Sequence, residues 1–238
     1  MKTIINGLPV EVTFSEDNIN NVFIPLLRRL SELQKEKNRR ILVYLAGPPG
    51  AGKSILAHYL SYLSNSTEDV VPITDIGMDG FHRYQDFLVS HVINRDGTDI
   101  PMVKIKGAPE TFDLDKLIKM VGKIAAGEEC TWPSYDRTTH NPKEDAVQVC
   151  GDIVLLEGNY LLLDTDGWRE LRKYADYTIL LKVDDNVLRK RLIERKVMCC
   201  NSMDEAEKFV DFSDMVNVRL VNTMSSHADL ELRESDFC

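Results

Sequence analysis

Apolar residues along this chain repeat with two different periods, and the change from one to the other lays out its elements. Ile19, Val22, Ile24, Leu27 and Leu30 recur at helical spacing, whereas Ile41 to Ala46 is an unbroken apolar run, the mark of a strand buried on both faces. Ahead of both, Thr3 to Ile5 and Val10 to Thr13 flank Asn6-Gly7, a turn dipeptide that predicts a hairpin. A charged stretch, Lys35 to Arg40, leads into the apolar run. After it the pattern predicts a helix over Ile55 to Leu63, a strand over Val70 to Ile76, a loop and helix within Gly80 to Val92, and a helix over Leu114 to Ala126. Ala146 to Val149 and Ile153 to Leu156 read as a hairpin-like pair. A strand at Tyr177 to Val183, a cationic helix at Asn186 to Lys196, helical residues 203–226 and an edge strand within Asp229 to Glu234 complete the pattern. Strands alternating with helices imply an α/β fold, a parallel sheet with helices on both faces. Residues 1–40 form an N-terminal hairpin and helix extension to it. With no internal repeat or low-complexity linker, the 238 residues fit one domain.

Composition narrows the class of partner. The net charge of −9 argues against nucleic acid, because a duplex binder needs a surplus of Lys and Arg to displace counterions. Any basic site must be local. The five cysteines, Cys130, Cys150, Cys199, Cys200 and Cys238, are odd in number and lack CxxC spacing, so they suggest neither a disulfide framework nor a zinc site. The N-terminus lacks the basic-then-apolar order of a secretion signal, and no apolar run reaches the roughly 18 residues of a membrane span. A cytoplasmic protein with no membrane partner is expected, and a homodimer is compatible with these features.

Between the apolar run and the next helix stand Gly47-Pro48-Pro49-Gly50-Ala51-Gly52-Lys53-Ser54. Strand, glycine-rich loop and helix in that order make a phosphate-binding P-loop, and hence a P-loop NTPase fold. The glycines let consecutive N–H groups turn inward and the helix adds its positive end. Lys53 then reaches the β and γ phosphates of ATP and the Ser54 hydroxyl ligates Mg²⁺. An enzyme built this way needs a metal-associated acid at the end of a neighbouring strand, and Ile153-Val154-Leu155-Leu156-Glu157-Gly158 places Glu157 there. Phosphoryl transfer to an alcohol also needs a group that accepts the hydroxyl proton. In Met78-Asp79-Gly80-Phe81-His82 the best-placed candidate is Asp79, with Asp75 and His82 as competitors.

The ordered set GPPGAGKS, MDGFHR, PETFD (Pro109 to Asp113), SYDRTTH (Ser134 to His140) and LLEG resembles the phosphoribulokinase, uridine kinase and bacterial pantothenate kinase family of P-loop phosphotransferases. The resemblance runs from about Leu42 to Lys196. It is nearest to bacterial kinase-like proteins that carry KGAPETFD and TWPSYDR, some labelled nucleoside or fructose kinases. It implies Asp79 as the catalytic base, Glu157 as the metal-associated acid, and Tyr135, Asp136 and His140 as an acceptor-side YDxxxH element. It also implies a cationic lid over about residues 184–200, in which Arg191 and Arg195, and less directly Arg189, close over the triphosphate and offset developing charge.

Departures from the family pattern bear on the acceptor. Uridine kinases place at the position of Gly107 an Asp that holds the ribose hydroxyls, and an aromatic at the position of Lys106. A lysine there favours an anionic acceptor such as a sugar phosphate or a carboxylate. Phe81-His82-Arg83 resembles phosphoribulokinase and Asp79-Gly80-Phe81 resembles pantothenate kinase, whose acceptors are both anionic, so His82 and Arg83 join the acceptor side. Lys104 and Lys106 read equally as exposed loop residues. Trp132 reads as an acceptor-site wall or as core, and Trp168, His58 and His91 as structural.

The sequence therefore points to a Mg²⁺- and ATP-dependent kinase acting on an alcohol group of a small, anionic metabolite. Three alternatives stand beside it. One is a nucleoside kinase of the uridine type. Another is a regulatory ATPase with no small acceptor. The third is a GTP switch, suggested by Asp164-Thr165-Asp166-Gly167 but lacking any NKxD element.

Overall fold

The run Ile41 to Ala46 becomes β3, and its side chains alternate between two separate apolar layers. Ile41, Val43 and Leu45 enter one layer, and Leu42, Tyr44 and Ala46 the other. A strand that is apolar at every position must be covered on both faces, which is the condition for a central parallel strand. The structure is a computed structural model that describes residues 2–5, 8–11, 13–95, 97–198 and 202–234. The Asn6-Gly7 turn and Cys199, Cys200 and Cys238 lie outside the described residues.

In chain order, β1 (Lys2–Ile5) and β2 (Leu8–Glu11) pair antiparallel. Helix α1 (Glu16–Asn18) then runs through a π turn, Ile19–Phe23, into α2 (Ile24–Lys37). After β3 (Ile41–Ala46) come α3 (Lys53–Ser64), β4 (Ile73–Gly77), α4 (Gln85–Ser90), and the short ribbon of β5 (Val92–Arg95) and β6 (Thr98–Pro101). Helix α5 (Leu114–Ala125) precedes a second ribbon, β7 (Cys130–Asp136) with β8 (Asn141–Val149). Strands β9 (Ile153–Gly158) and β10 (Tyr177–Lys182) follow, then α6 (Asp185–Met198), α7 (Met203–Phe209), α8 (Met215–Met224) and β11 (Leu230–Arg233).

The central sheet has the order β11-β10-β3-β9-β4, and every neighbouring pair is parallel. Its carboxyl ends therefore share one rim, where the P-loop, Gly77 and Glu157 all emerge. Helices α2, α3, α6 and α7 supply Leu27, Leu60, Leu192 and Ala206 to one apolar layer. Phe81, Leu117, Trp132 and Tyr160 fill the other. The extension before β3 is part of this core, since Phe23, Leu27 and Leu30 of the α2 segment are almost fully buried.

Two expectations need correction. Ala146 to Val149 and Ile153 to Leu156 do not form a hairpin: the first belongs to β8 and pairs with β7, while the second is β9 and pairs in parallel with β3 and β4. Their closeness in sequence reflects a tight passage through Gly151, at φ 83°, from one sheet to another. The strand expected over Val70 to Ile76 begins at Ile73 and reaches Gly77, because Val71 caps a loop by donating its N–H to Ser31.

The ribbon β7–β8 fixes the turn that follows β4. Trp132, fully buried, donates its indole N–H to the Gly77 carbonyl at 2.8 Å and meets Phe81 edge-on at 4.7 Å. It is a core residue. Gly80 lies so close beneath Pro133 that a Cβ there would stand 2.1 Å from the Pro133 carbonyl oxygen. Only glycine admits the ribbon at that distance, directly beside Asp79.

Candidate active site

The P-loop leaves β3 and enters α3 with Gly50 at φ 83° and Gly52 at φ 89°. Such angles are nearly free only for glycine, and they let the loop curl around a phosphate-sized space. Gly47, Pro48, Pro49, Ala51 and Gly52 complete the loop, with the Ala51 N–H donating to Pro48 O at 3.2 Å. Lys53 opens α3 and is buried, and its ammonium donates to Pro48 O at 2.9 Å and to Asn159 Oδ1 at 2.7 Å. Burial lowers the Lys53 pKa, while the charges of Glu157 and Asp79 oppose the fall and that of Arg195 adds to it.

Next to it the Ser54 hydroxyl donates to Glu157 Oε1 at 2.7 Å. Glu157 is 8% exposed. Burial, followed by the charge of Asp79, raises its pKa to about 7 against the pull of Lys53, Ser54 and Arg137. A hydroxyl and a carboxylate converging in a dry space suit Mg²⁺, which takes few protein ligands and completes its shell with water and substrate phosphate. The described residues contain no group of three or more His, Cys, Asp or Glu that could hold a metal ion.

Asp79 sits in the single 3₁₀ turn Met78–Phe81 directly after β4, half-buried. Its charge acts on Lys53, Glu157, His82 and Tyr135, so it stands at the junction of the phosphate site and a second group of side chains. Asp75, the competing candidate, faces α3 instead, its carboxylate 3.2 Å from His58 Nδ1. Arg137 approaches Asp79 at 3.9 Å.

That second group is the expected acceptor side. His82 stacks on Phe112 at 4.0 Å and leans on Tyr135 at 5.0 Å. Burial holds its imidazole neutral, with a pKa lowered to about 4, and its Nδ1 has no hydrogen-bond partner. Tyr135 is buried, and burial pushes its phenol up to about 12. The Lys106 ammonium lies over the Tyr135 ring at 5.3 Å and donates to Gln85 Oε1 at 2.7 Å and His140 O at 2.8 Å. Both acceptors are neutral, and burial lowers the Lys106 pKa to about 8. Lys106 is thus drawn into the site, whereas Lys104 is exposed.

Other expected residues are placed differently. Asp136 accepts the Thr138 N–H at 2.8 Å and the Thr139 N–H at 3.4 Å, which lowers its pKa and makes it the turn former at the tip of the β7–β8 ribbon. His140, exposed at φ 55°, contributes its carbonyl to Lys106. Arg83 turns toward Asp113, at 3.8 Å, and covers the Phe87 ring, beside a small cavity of about 90 Å³. On α6, Leu188 and Leu192 seat against Gly50 of the P-loop, so α6 lies directly over the loop. Arg195 acts on Lys53 from there. Arg191 is joined to Glu234 at the end of β11, and Arg189 is held by Asp211 at 2.8 Å.

Sequence reasoning passed over Arg137, Asn159 and Gln85. Arg137 stands inside the SYDRTTH motif and Asn159 directly follows Glu157-Gly158, so both had a positional signal. Gln85 had none.

Residues 42–230 match the family described as Phosphoribulokinase / Uridine kinase family. A protein of Escherichia coli (strain K12), "Uncharacterized protein YggC", is 39% identical over 227 residues, covering 95% of this chain and 92% of that protein. "Putative uridine kinase C227.14" of Schizosaccharomyces pombe is 33% identical over 218 residues, 88% of this chain and 89% of its own. Among solved structures, one described as a "putative fructose transport system kinase" from Silicibacter sp. TM1040 superposes with a TM-score of 0.75 at 30% identity, covering 87% of this chain and 98% of that one.

Proposed function

This chain belongs to the phosphoribulokinase/uridine kinase family, and from that premise we propose that it transfers the γ-phosphoryl group of ATP to an alcohol on a small, anionic metabolite. The observation that carries this reading is the position of Asp79, a half-buried carboxylate that acts on Lys53 and Glu157 on one side and on His82 and Tyr135 on the other. A pure ATPase needs a water-positioning group but no walled space beyond it.

Lys53 and the amides of Gly47 to Ser54 hold the phosphates. Ser54 and Glu157 would hold Mg²⁺, which when bound offsets charge on the phosphates. Asp79 accepts the proton of the acceptor hydroxyl and keeps its oxygen aimed at the phosphoryl group, with Arg137 3.9 Å away. Arg195, and Arg191 once released from Glu234, offset charge as the lid helix settles. His82, Lys106 and Tyr135 form the acceptor side, with the His140 carbonyl holding Lys106. Lys106, a half-buried ammonium with only neutral acceptors, supports an anionic substrate, since a desolvated cation lacking a counter-charge is stabilised by gaining one. The absence of a side chain at Gly107 speaks against a nucleoside held in the uridine kinase manner.

The test is ADP release from MgATP against sugars, sugar phosphates, hydroxy acids, pantothenate and nucleosides, each beside a control with no acceptor. One acceptor class should stimulate release, and Asp79→Asn should lower that turnover by about 10² or more with MgATP affinity retained. Release that ignores every acceptor would replace this reading with an ATPase.

A further inference from the structure

Two neighbouring residues at the start of α3 are held by two residues at the end of β9, and the two pairs differ in charge. The Ser54 hydroxyl donates to the Glu157 carboxylate at 2.7 Å, and the Lys53 ammonium donates to the Asn159 amide oxygen, also at 2.7 Å. Between Glu157 and Asn159, Gly158 has no room for a side chain: a Cβ there would stand 2.6 Å from the Met78 Cβ. Glu157 is hemmed on its other side by Gly77, its register partner on β4, where an added Cβ would lie 3.2 Å from Glu157 Oε1. The ends of β4 and β9 are thus closely fitted, and Asn159 reaches the P-loop lysine from that fixed point.

Lys53 has an uncommon set of partners for a buried cation. It is 6% exposed, it donates to two neutral oxygens, Pro48 O at 2.9 Å and Asn159 Oδ1, and it makes no ion pair among the described residues. Buried charges are ordinarily paired. A carboxylate is nonetheless close by, since Glu157 accepts from the very next residue of the chain, and of the neighbouring charges that act on Lys53 its is the largest. The orientation of the Asn159 amide follows from its partner, because an ammonium has only donors and must face the oxygen. Two of the three ammonium N–H groups are occupied in this way, and the third is left for a phosphate. The arrangement recurs at Lys106, held by one backbone carbonyl, His140 O, and one side-chain amide oxygen, Gln85 Oε1. In both places the acceptors take hydrogen bonds without cancelling the charge.

Resting on the kinase reading above, we infer that Asn159 is a positioning residue: its amide oxygen holds the Lys53 ammonium away from Glu157, so that the lysine meets the triphosphate with its charge uncompensated. A carboxylate in place of the amide would itself supply the counter-charge. A side chain with no oxygen would leave the buried ammonium to take its missing partner from Glu157, and incoming phosphates would then have to break a desolvated ion pair. Neutrality, together with reach, is what the position requires.

The experiment measures dissociation constants by calorimetry for the non-hydrolysable analogue AMPPNP and for AMP, in EDTA so that Glu157 serves no metal. The proteins compared are the wild type, Asn159→Ala, Glu157→Gln and the double variant. Because the P-loop lysine reaches the β and γ phosphates, AMP reports on the rest of the pocket. Asn159→Ala should weaken AMPPNP at least about tenfold, the scale of one charge-assisted hydrogen bond, with AMP within about twofold. In the Glu157→Gln background the same substitution should weaken AMPPNP by about threefold or less, because the competing carboxylate is gone. A crystal structure of nucleotide-free Asn159→Ala should show the Lys53 ammonium against the Glu157 carboxylate.

An equal loss of AMPPNP affinity in both backgrounds overturns the inference, since Asn159 would then hold Lys53 without keeping it from Glu157. Parallel losses of AMPPNP and AMP overturn it by making Asn159 a support of the strand end, and so does a wild type that binds AMPPNP no better than AMP. An ammonium that stays on Pro48 O in the variant crystal has the same consequence. The kinase reading is judged separately. If no acceptor stimulates ADP release while the affinities follow this pattern, Asn159 keeps its role and the kinase reading falls; if release is stimulated and the pattern fails, only the role of Asn159 falls.

Discussion

His82 illustrates how far a residue's role depends on burial. Its imidazole is enclosed by Phe112 and Tyr135, and its pKa falls from 6.5 to about 4, chiefly through desolvation. For a base depressed in the folded state, the unfolded chain binds the proton first. Stability from the neutral ring is complete above pH 6.5 and is lost as pH falls toward 4, by about 2 kcal/mol at pH 5. Glu157 acts in the opposite sense, since a carboxyl raised to about 7 penalises folding as pH rises through the range from its ordinary value. The difference between the wild type and His82→Gln isolates the first effect. Urea midpoints should fall between pH 7 and pH 5 more steeply for the wild type than for the variant, and parallel curves would show that His82 does not carry the acid sensitivity. In the sequence His82 was one polar residue in a motif. Its orphaned Nδ1 depends on a bridge to Phe112 that no local pattern announces.

At the level of elements, legibility followed periodicity. Strands β3, β9 and β10 and helix α6 were readable because each has one dominant pattern, and the P-loop because its glycines have a stated geometric task. The β7–β8 ribbon was not. Its first strand carries Pro133, which has no N–H to give, and the pairing register slips between Trp132 and Ser134 at that point. The β5–β6 ribbon was also missed, although Asp96-Gly97 in its sequence is a turn signal. Contacts between elements were beyond reach for a different reason: they join residues far apart in the chain. The clearest case is Arg191, expected over the triphosphate and found paired with Glu234, 43 residues away. If that pair is exchanged for phosphate contact during turnover, Arg191→Ala should lower turnover by about 10² while Glu234→Gln leaves it within about twofold. Equal losses in both variants, measured under saturating MgATP, would make the pair a structural tie between α6 and β11.

On the scale of the whole molecule, charge and chemistry pull in opposite directions. A net charge of −9 would repel the anionic acceptor proposed above, so its capture would depend on local cations set in a less polar surrounding. Lys106 and Arg137 are brought to the same side chains, His82 for both and Tyr135 for each, from separate parts of the chain. Lys106→Ala should therefore lower kcat/KM for anionic acceptors by about tenfold or more, the scale of one charge-assisted hydrogen bond, and should leave neutral acceptors nearly unchanged. Parallel losses for both kinds of acceptor would return Lys106 to a purely structural role. The acidic composition gave no hint of these cations, since it averages over the surface and hides a site of a few residues.

Strands β4 and β9 lie side by side in the sheet, yet the chain between them makes one long excursion that includes both ribbons, Lys106, Tyr135 and Arg137. On the kinase reading proposed above, the groups that would grip the nucleotide emerge from the ends of β3 and β9 or from α6, outside that excursion. A single crossover on either side of it would transplant most of the acceptor-facing surface and leave the ATP-facing half intact. The fold is in this sense a cassette: new substrate preferences can be acquired by recombination in one event.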